Sequence, residues 1–194
     1  MAAMPPQVLI YTLDAFDEAK DEDSVAAAIG AQARPWIVSA VTATGGHLAS
    51  EEELAACGRA CVRFFRWGGL ATLEIGLQRE QIRNFGQHEV AAWGFAGDVA
   101  PVREALRANF ALFIVLKQTR QTTGRVVLHA LGRTYTYGKQ IDAACVADLG
   151  DGRMTWCTSI KDDGSDIADP GQVGAVLRLM LQRLFVQPAR RPSL

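Results

Sequence analysis

The chain has 194 residues, of which 49% are hydrophobic and 21% charged, with a formal net charge of −1. That is the composition of a globular protein, and a chain of this length buries roughly 70% of its unfolded surface without needing a metal or a disulfide to fold. A balance of 20 basic against 21 acidic residues excludes a general nucleic-acid binder, which needs a basic excess on one face.

The first residues, MAAMPPQVLIYTL, lack the basic segment and small-residue cleavage site of a secretory signal, so the chain reads as cytoplasmic or as a mature form. Val8–Asp14 is rich in β-formers and follows Pro5-Pro6, which predicts a first strand. The acidic run Asp14–Asp23 misses the spacing of a calcium loop and reads as a solvated loop. Asp23 or Ser24 caps a short helix over Val25–Ala33, stopped by Pro35. Trp36–Thr44 (WIVSAVTAT) then reads as a strand ended by Gly45-Gly46. Ser50 and Glu53 match a capping box, and the helix they open is expected to run to Trp67 and stop at Gly68-Gly69. Its other face carries Arg59, Arg63 and Arg66, as a solvated face or as readers of phosphate or an acidic partner. No bilayer span arises here, because Leu54–Leu77 holds those three arginines and Glu74. Leu70–Gln81 alternates as a strand does, although every residue but Gly76 also suits a helix, and the strand is the preferred reading.

Asp98 caps a helix buried through Val99, Val102, Ala105 and Leu106, ending at Asn109. Phe110–Lys117 (FALFIVLK) is apolar throughout, as a central strand covered on both faces would be. Thr119–Gly124 is a loop tip, Arg125–Gly132 a strand, and Thr134–Gly138 (TYTYG) an exposed ribbon or edge. Gln140–Leu149 and Arg153–Ile160 form a hairpin about Gly150-Asp151-Gly152. A polar loop, Lys161–Asp169, leads to a helix capped by Asp169, opened by Pro170 and apolar at Val173, Val176, Leu177, Met180, Leu181, Leu184 and Phe185. The fold expected is α+β or α/β: a single mixed sheet with a C-terminal strand meander, flanked by about four helices. One domain spans 1–187, with 97–187 its best-defined part, and 188–194 is a flexible tail.

Four cysteines and three histidines carry the remaining chemistry. Cys57 and Cys61 stand four apart on one expected helix, a spacing that opposes a disulfide; they could supply two metal ligands, but no second ligand pair occurs, and they read as small core residues. With a three-residue hairpin loop, Gly152 takes the left-handed position and Cys145 lies directly opposite Cys157, a candidate disulfide. A two-residue loop would set Trp156 opposite Cys145 instead. His47, His88 and His129 are isolated, and no zinc, nucleophile-elbow or phosphate-loop motif occurs. No catalytic or metal-binding residue is assigned, and no cofactor.

A family resemblance enters through the second half. Its carriers are Gly97-Asp98 with its helix, Ala111-Leu112-Phe113, Gly124-Arg125, Val146-Ala147-Asp148-Leu149 with Gly152 and Trp156, and Asp166-Ile167-Ala168-Asp169-Pro170. Together these resemble bacterial envelope lipoproteins with the fold shared by the curli-secretion lipoprotein and the amino-terminal domain of the Tol-system periplasmic protein. The resemblance implies a non-enzymatic envelope protein, in the periplasm or on the periplasmic face of the outer membrane, that binds partners or assembles a surface or secretion complex. It implies a protein partner or homo-oligomer, no nucleic acid, and membrane association only through a lipid anchor not visible in this chain. Partner-binding candidates are the ribbon residues Tyr135 and Tyr137 and, beside the loop tip, Arg120 and Arg125. The alternative is an intracellular enzyme or small-ligand-binding domain whose site assembles in space, using a thiol such as Cys57 or Cys145.

Overall fold

A computed structural model describes residues 1–13, 19–81, 87–122, 140–162, 167 and 170–186. Seven strands are present among them: β1 (Ala2–Ala3), β2 (Gln7–Leu13), β3 (Ala19–Asp21), β4 (His47–Leu48), β5 (Phe110–Gln121), β6 (Gln140–Asp148) and β7 (Met154–Asp162). The helices are α1 (Asp23–Thr42), α2 (Glu51–Cys57), α3 (Arg59–Gln81), α4 (Gln87–Ala91), α5 (Ala100–Leu106) and α6 (Pro170–Val186). The strands at 125–132 and 134–138 and the tail at 188–194 expected from the sequence lie outside the described residues.

All seven strands belong to one mixed sheet built around β5. On one side β2 runs parallel to β5, pairing Gln7 with Val115 and Leu13 with Gln121, and β1 continues along the same edge with Ala2 against Ala111. The pairing slips by one residue between them, at Met4-Pro5-Pro6. Met4 still donates to Leu112, but the prolines have no N–H to offer the ladder. The short strands β3, antiparallel to β2, and β4, parallel to β1, lie outside these. On the other side β6 and β7 follow in antiparallel succession, completing the meander.

Alternation along β5 divides the core in two. Ala111 and Phe113 meet a cluster with Phe64, Ile75 and Leu106 from α3 and α5, together with Cys145 and Cys157. Leu112, Ile114 and Leu116 meet Ile29, Ile37 and Val41 of α1 and Val173, Leu177 and Met180 of α6. The sheet is thus covered on both faces, which explains the unbroken apolar run of β5.

Two expected strands are helical. Trp36–Thr44 is the second half of α1, which passes through Pro35. Ile29, Ala33, Ile37 and Val41 are all at most 1% exposed, and a four-residue spacing puts them on one face only if the helix continues. An interior proline costs about 3 kcal/mol. Burying Ile37 and Val41 returns about 1.5–3 kcal/mol each, enough to offset it. Leu70–Gln81 is helical for a related reason: Ala71, Thr72 and Ile75 are buried on the face that continues from Phe64.

The helix expected over 51–67 divides instead. Its start is as read: Ser50 Oγ accepts from the Glu53 amide and Glu53 Oε2 accepts from the Ser50 amide. Gly58 then breaks it at φ 59°, ψ −135°, open to glycine and closed to most residues. Past it, α3 continues through Gly68-Gly69 to Gln81. A Cβ on Gly68 would lie 2.1 Å from the Phe113 ring, and one on Gly69 2.1 Å from the Gln7 amide. The pair is therefore a notch that seats α3 against β5 and β2.

Gly152 takes a left-handed φ of 74°, and the hairpin closes with Gly152 donating to Asp148 and Asp148 donating to Arg153. Leu149 thus belongs to the turn rather than pairing with Arg153. A bulge between Val146 and Ala147 on the ladder restores the count, so Val146 faces Trp156 and Cys145 faces Cys157.

Candidate functional site

All four cysteines are paired. Cys145 and Cys157 form a disulfide across β6 and β7, with Cα atoms 4.1 Å apart. Cys57 and Cys61 are also bridged. The sequence spacing opposed this because a single helix was assumed; the break at Gly58 brings the end of α2 and the first turn of α3 together. Neither Cys57 nor Cys145 is the free thiol that the enzymatic alternative called for.

The close approach of Cys145 and Cys157 marks a non-hydrogen-bonded pair, in which the backbone polar groups of Cys157 turn away from β6. Arginines from both helix layers meet that edge. Arg79 of α3 donates to the Cys157 carbonyl, and Arg183 of α6 donates to the Ser159 carbonyl at 3.4 Å. Burial, and then the neighbouring charge of Arg183, lowers the pKa of Arg79 from the usual arginine value. Over Cys157–Ser159 charge stands along the outer edge of β7, whose start is taken up by Trp93, the Met154 amide donating to its carbonyl.

A polar group lies under the start of α6. Gln140 donates to the carboxylate of Asp142, which has no exposed surface, and the Gln118 side-chain oxygen accepts from the Ile167 amide. The second of these bonds ties Ile167, shortly before α6, to β5. At the other end of the sheet a cavity of about 620 Å³ includes His47, Glu53, Glu104 and Arg107, with His47 Nε2 3.1 Å from Glu53 Oε1. Among the described residues no three His, Cys, Asp or Glu side chains stand together as a metal site. No described helix is long and apolar enough to cross a membrane.

The feature best suited to binding lies between α1 and α6. Gly174 lets α6 approach α1 so closely that a Cβ there would lie 2.8 Å from the Trp36 indole. One turn further on, the Arg178 guanidinium sits 5.3 Å from the Trp36 ring centroid. Trp36 is still 42% exposed. Beside this pair runs a groove of about 350 Å³ whose floor and far wall include Ala40, Ala43, Thr44 and Leu181. Trp36, Ala40, Ala43 and Thr44 recur at intervals of four, three and one, as one face of a helix does. The small alanines make the depth, the indole makes the wall, and Arg178, in no ion pair among the described residues, supplies one positive charge.

Of the partner-binding residues proposed from sequence, Arg120 lies half-buried in β5 opposite Thr12 of β2. Tyr135, Tyr137 and Arg125 lie outside the described residues. Sequence reasoning missed Trp36 and Arg178 because Trp36 was placed on a strand. The signal available was the four-residue spacing Ile29, Ala33, Ile37, Val41, which puts Trp36 at the margin of a buried face.

No family model matches the chain, and no curated protein does. Among solved structures it is similar to the lipoprotein GNA1162 from Neisseria meningitidis, at 9% identity over 99% of both chains with a TM-score of 0.38. It is also similar to the C-terminal domain of LpoB from Salmonella enterica, at 7% identity over 84% of this chain and 82% of that one, with a TM-score of 0.31.

Proposed function

We propose that the protein is a non-enzymatic binding and assembly module of the bacterial envelope. The observation that carries the reading is the Trp36–Arg178 groove. Tryptophan and arginine are among the residue types most enriched at the anchoring positions of protein interfaces, and here the two stand together. The occupant is a segment of a partner protein that lays apolar side chains on Ala40 and Ala43 and sets a carboxylate against Arg178. The pairing of every cysteine supports an oxidising compartment, since such bridges persist in the periplasm and are reduced in the cytosol.

Two measurements test this. Thiol alkylation in intact cells should find all four cysteines protected until reductant is added; free thiols would place the chain in the cytosol and refute the envelope reading. A photo-crosslinking residue at position 36 should give a discrete adduct that is lost in R178E, while the same probe at Lys20 gives none. Absence of an adduct at position 36, or one indifferent to R178E, refutes the groove.

A further inference from the structure

The exposed face of α3 lies in the opposite helix layer from the groove and bears five residues that the fold does not use. At 100° per residue, Arg59, Val62, Arg63, Arg66 and Leu70 fall within an arc of about 100°, opposite the buried Cys61, Phe64 and Ile75. All five are exposed. Val62 is 50% and Leu70 69% exposed, the two highest values among the exposed large hydrophobic residues described. None of the three arginines is in an ion pair among the described residues. In a chain with a net charge of −1 this is a concentrated row of cations with apolar side chains set between them.

The geometry points to a docking surface for a bilayer containing anionic lipid headgroups. Three guanidiniums spread over about 10 Å of helix match a field of phosphates better than a single ion. A protein partner anchors by filling pockets, whereas this face is a convex ridge and neither cavity described above includes it. A lipid surface yields around a ridge, admits Val62 and Leu70 to the interface, and keeps the arginines at headgroup level. The surface goes beyond the partner groove and does not depend on it.

Co-sedimentation of the full chain with vesicles tests the inference. Vesicles of phosphatidylglycerol and phosphatidylcholine in equal parts should bind the protein at low salt, and phosphatidylcholine alone should not. Each Arg→Gln change should weaken binding about fivefold, and R59Q/R63Q/R66Q by roughly a hundredfold, from about 1 kcal/mol per cation at a membrane surface. V62S/L70S should weaken binding while leaving its salt dependence intact. All these side chains are exposed, so each variant should unfold at the wild-type temperature, which is checked first. Equal binding to both vesicle types, no binding, or an unweakened triple variant overturns the inference. Capture of polyglutamate through the same arginines without vesicle binding overturns it in favour of an acidic protein. Crosslinking at position 36 reads a surface in the other layer, so the two proposals stand or fall separately.

Discussion

Replacing Gly68 and Gly30 by alanine sets one chemical change in two environments of opposite sign. Both glycines lie inside helices, where alanine is favoured by about 0.5–1 kcal/mol. At Gly30 the nearest atom to the new Cβ is Val8 Cγ2 at 3.7 Å, an ordinary contact, so G30A should keep that full gain. At Gly68 the new Cβ would sit 2.1 Å from Phe113 Cε1. The ring cannot swing aside: Phe113 is 2% exposed, with Phe64 5.4 Å and Trp67 6.3 Å away between centroids. Overpacking costs about 1–3 kcal/mol, and a 2.1 Å approach to a ring that cannot move takes the upper part of that range, about 2–3 kcal/mol, leaving G68A about 1–2.5 kcal/mol below wild type after the helical gain. The two variants should therefore differ by about 2–3 kcal/mol, and at about 2–4 °C per kcal/mol for a chain of this size, by about 4–12 °C in Tm. G69A should fall between them, because the Gln7 amide it meets can move at the loss of its hydrogen bond to the Phe65 carbonyl. Urea and thermal unfolding with the disulfides intact measure all three. A G68A protein as stable as wild type would refute the notch and return Gly68-Gly69 to the role of a helix end.

The disulfides make a second comparison. Loop-closure entropy assigns about 3 kcal/mol to Cys145–Cys157 and about 2 kcal/mol to the shorter Cys57–Cys61 loop, so C145S/C157S should lower the urea midpoint more than C57S/C61S. The reverse order would show that the bridge at Gly58 carries native-state structure beyond its loop. At the sheet edge, R79A/R183A removes the donors to the Cys157 and Ser159 carbonyls, and light scattering should then show self-association that grows with concentration. A strictly monomeric double variant would mean that these arginines do not guard the edge.

Where local and tertiary signals agreed, the fold was legible. Phe110–Lys117 read as a doubly covered strand, and it is the middle of the sheet. Ser50 and Glu53 read as a capping box, and both hydrogen bonds are present. The errors arose where apolar residues satisfied two periods at once. Trp36–Thr44 is β-branched and apolar enough for a strand, and Pro35 looked like a stop, but packing on β5 selects the helical register of Ile37 and Val41. Gly68-Gly69 signals a terminus or a close approach with equal force, and only the position of Phe113 distinguishes them. The hairpin register came out with Cys145 opposite Cys157 although the turn closes one residue differently, because the bulge compensates. The Trp36–Arg178 groove was not legible at all: it requires two helices more than a hundred residues apart in the chain to be neighbours, which no local pattern encodes.

The placement of β5 between the N-terminal strands and the hairpin also sets an order of events. Gln7 pairs with Val115 and Ala2 with Ala111, contacts separated by roughly a hundred residues, the kind that slow folding because the intervening chain must first be closed into a loop. Neither β1 nor β2 has its central partner until synthesis has passed Gln121. The β5–β6–β7 meander, in contrast, is joined by pairings much closer in sequence. The assembled sheet therefore waits on β5: until it is made, β1 and β2 have beside them only the short strands β4 and β3.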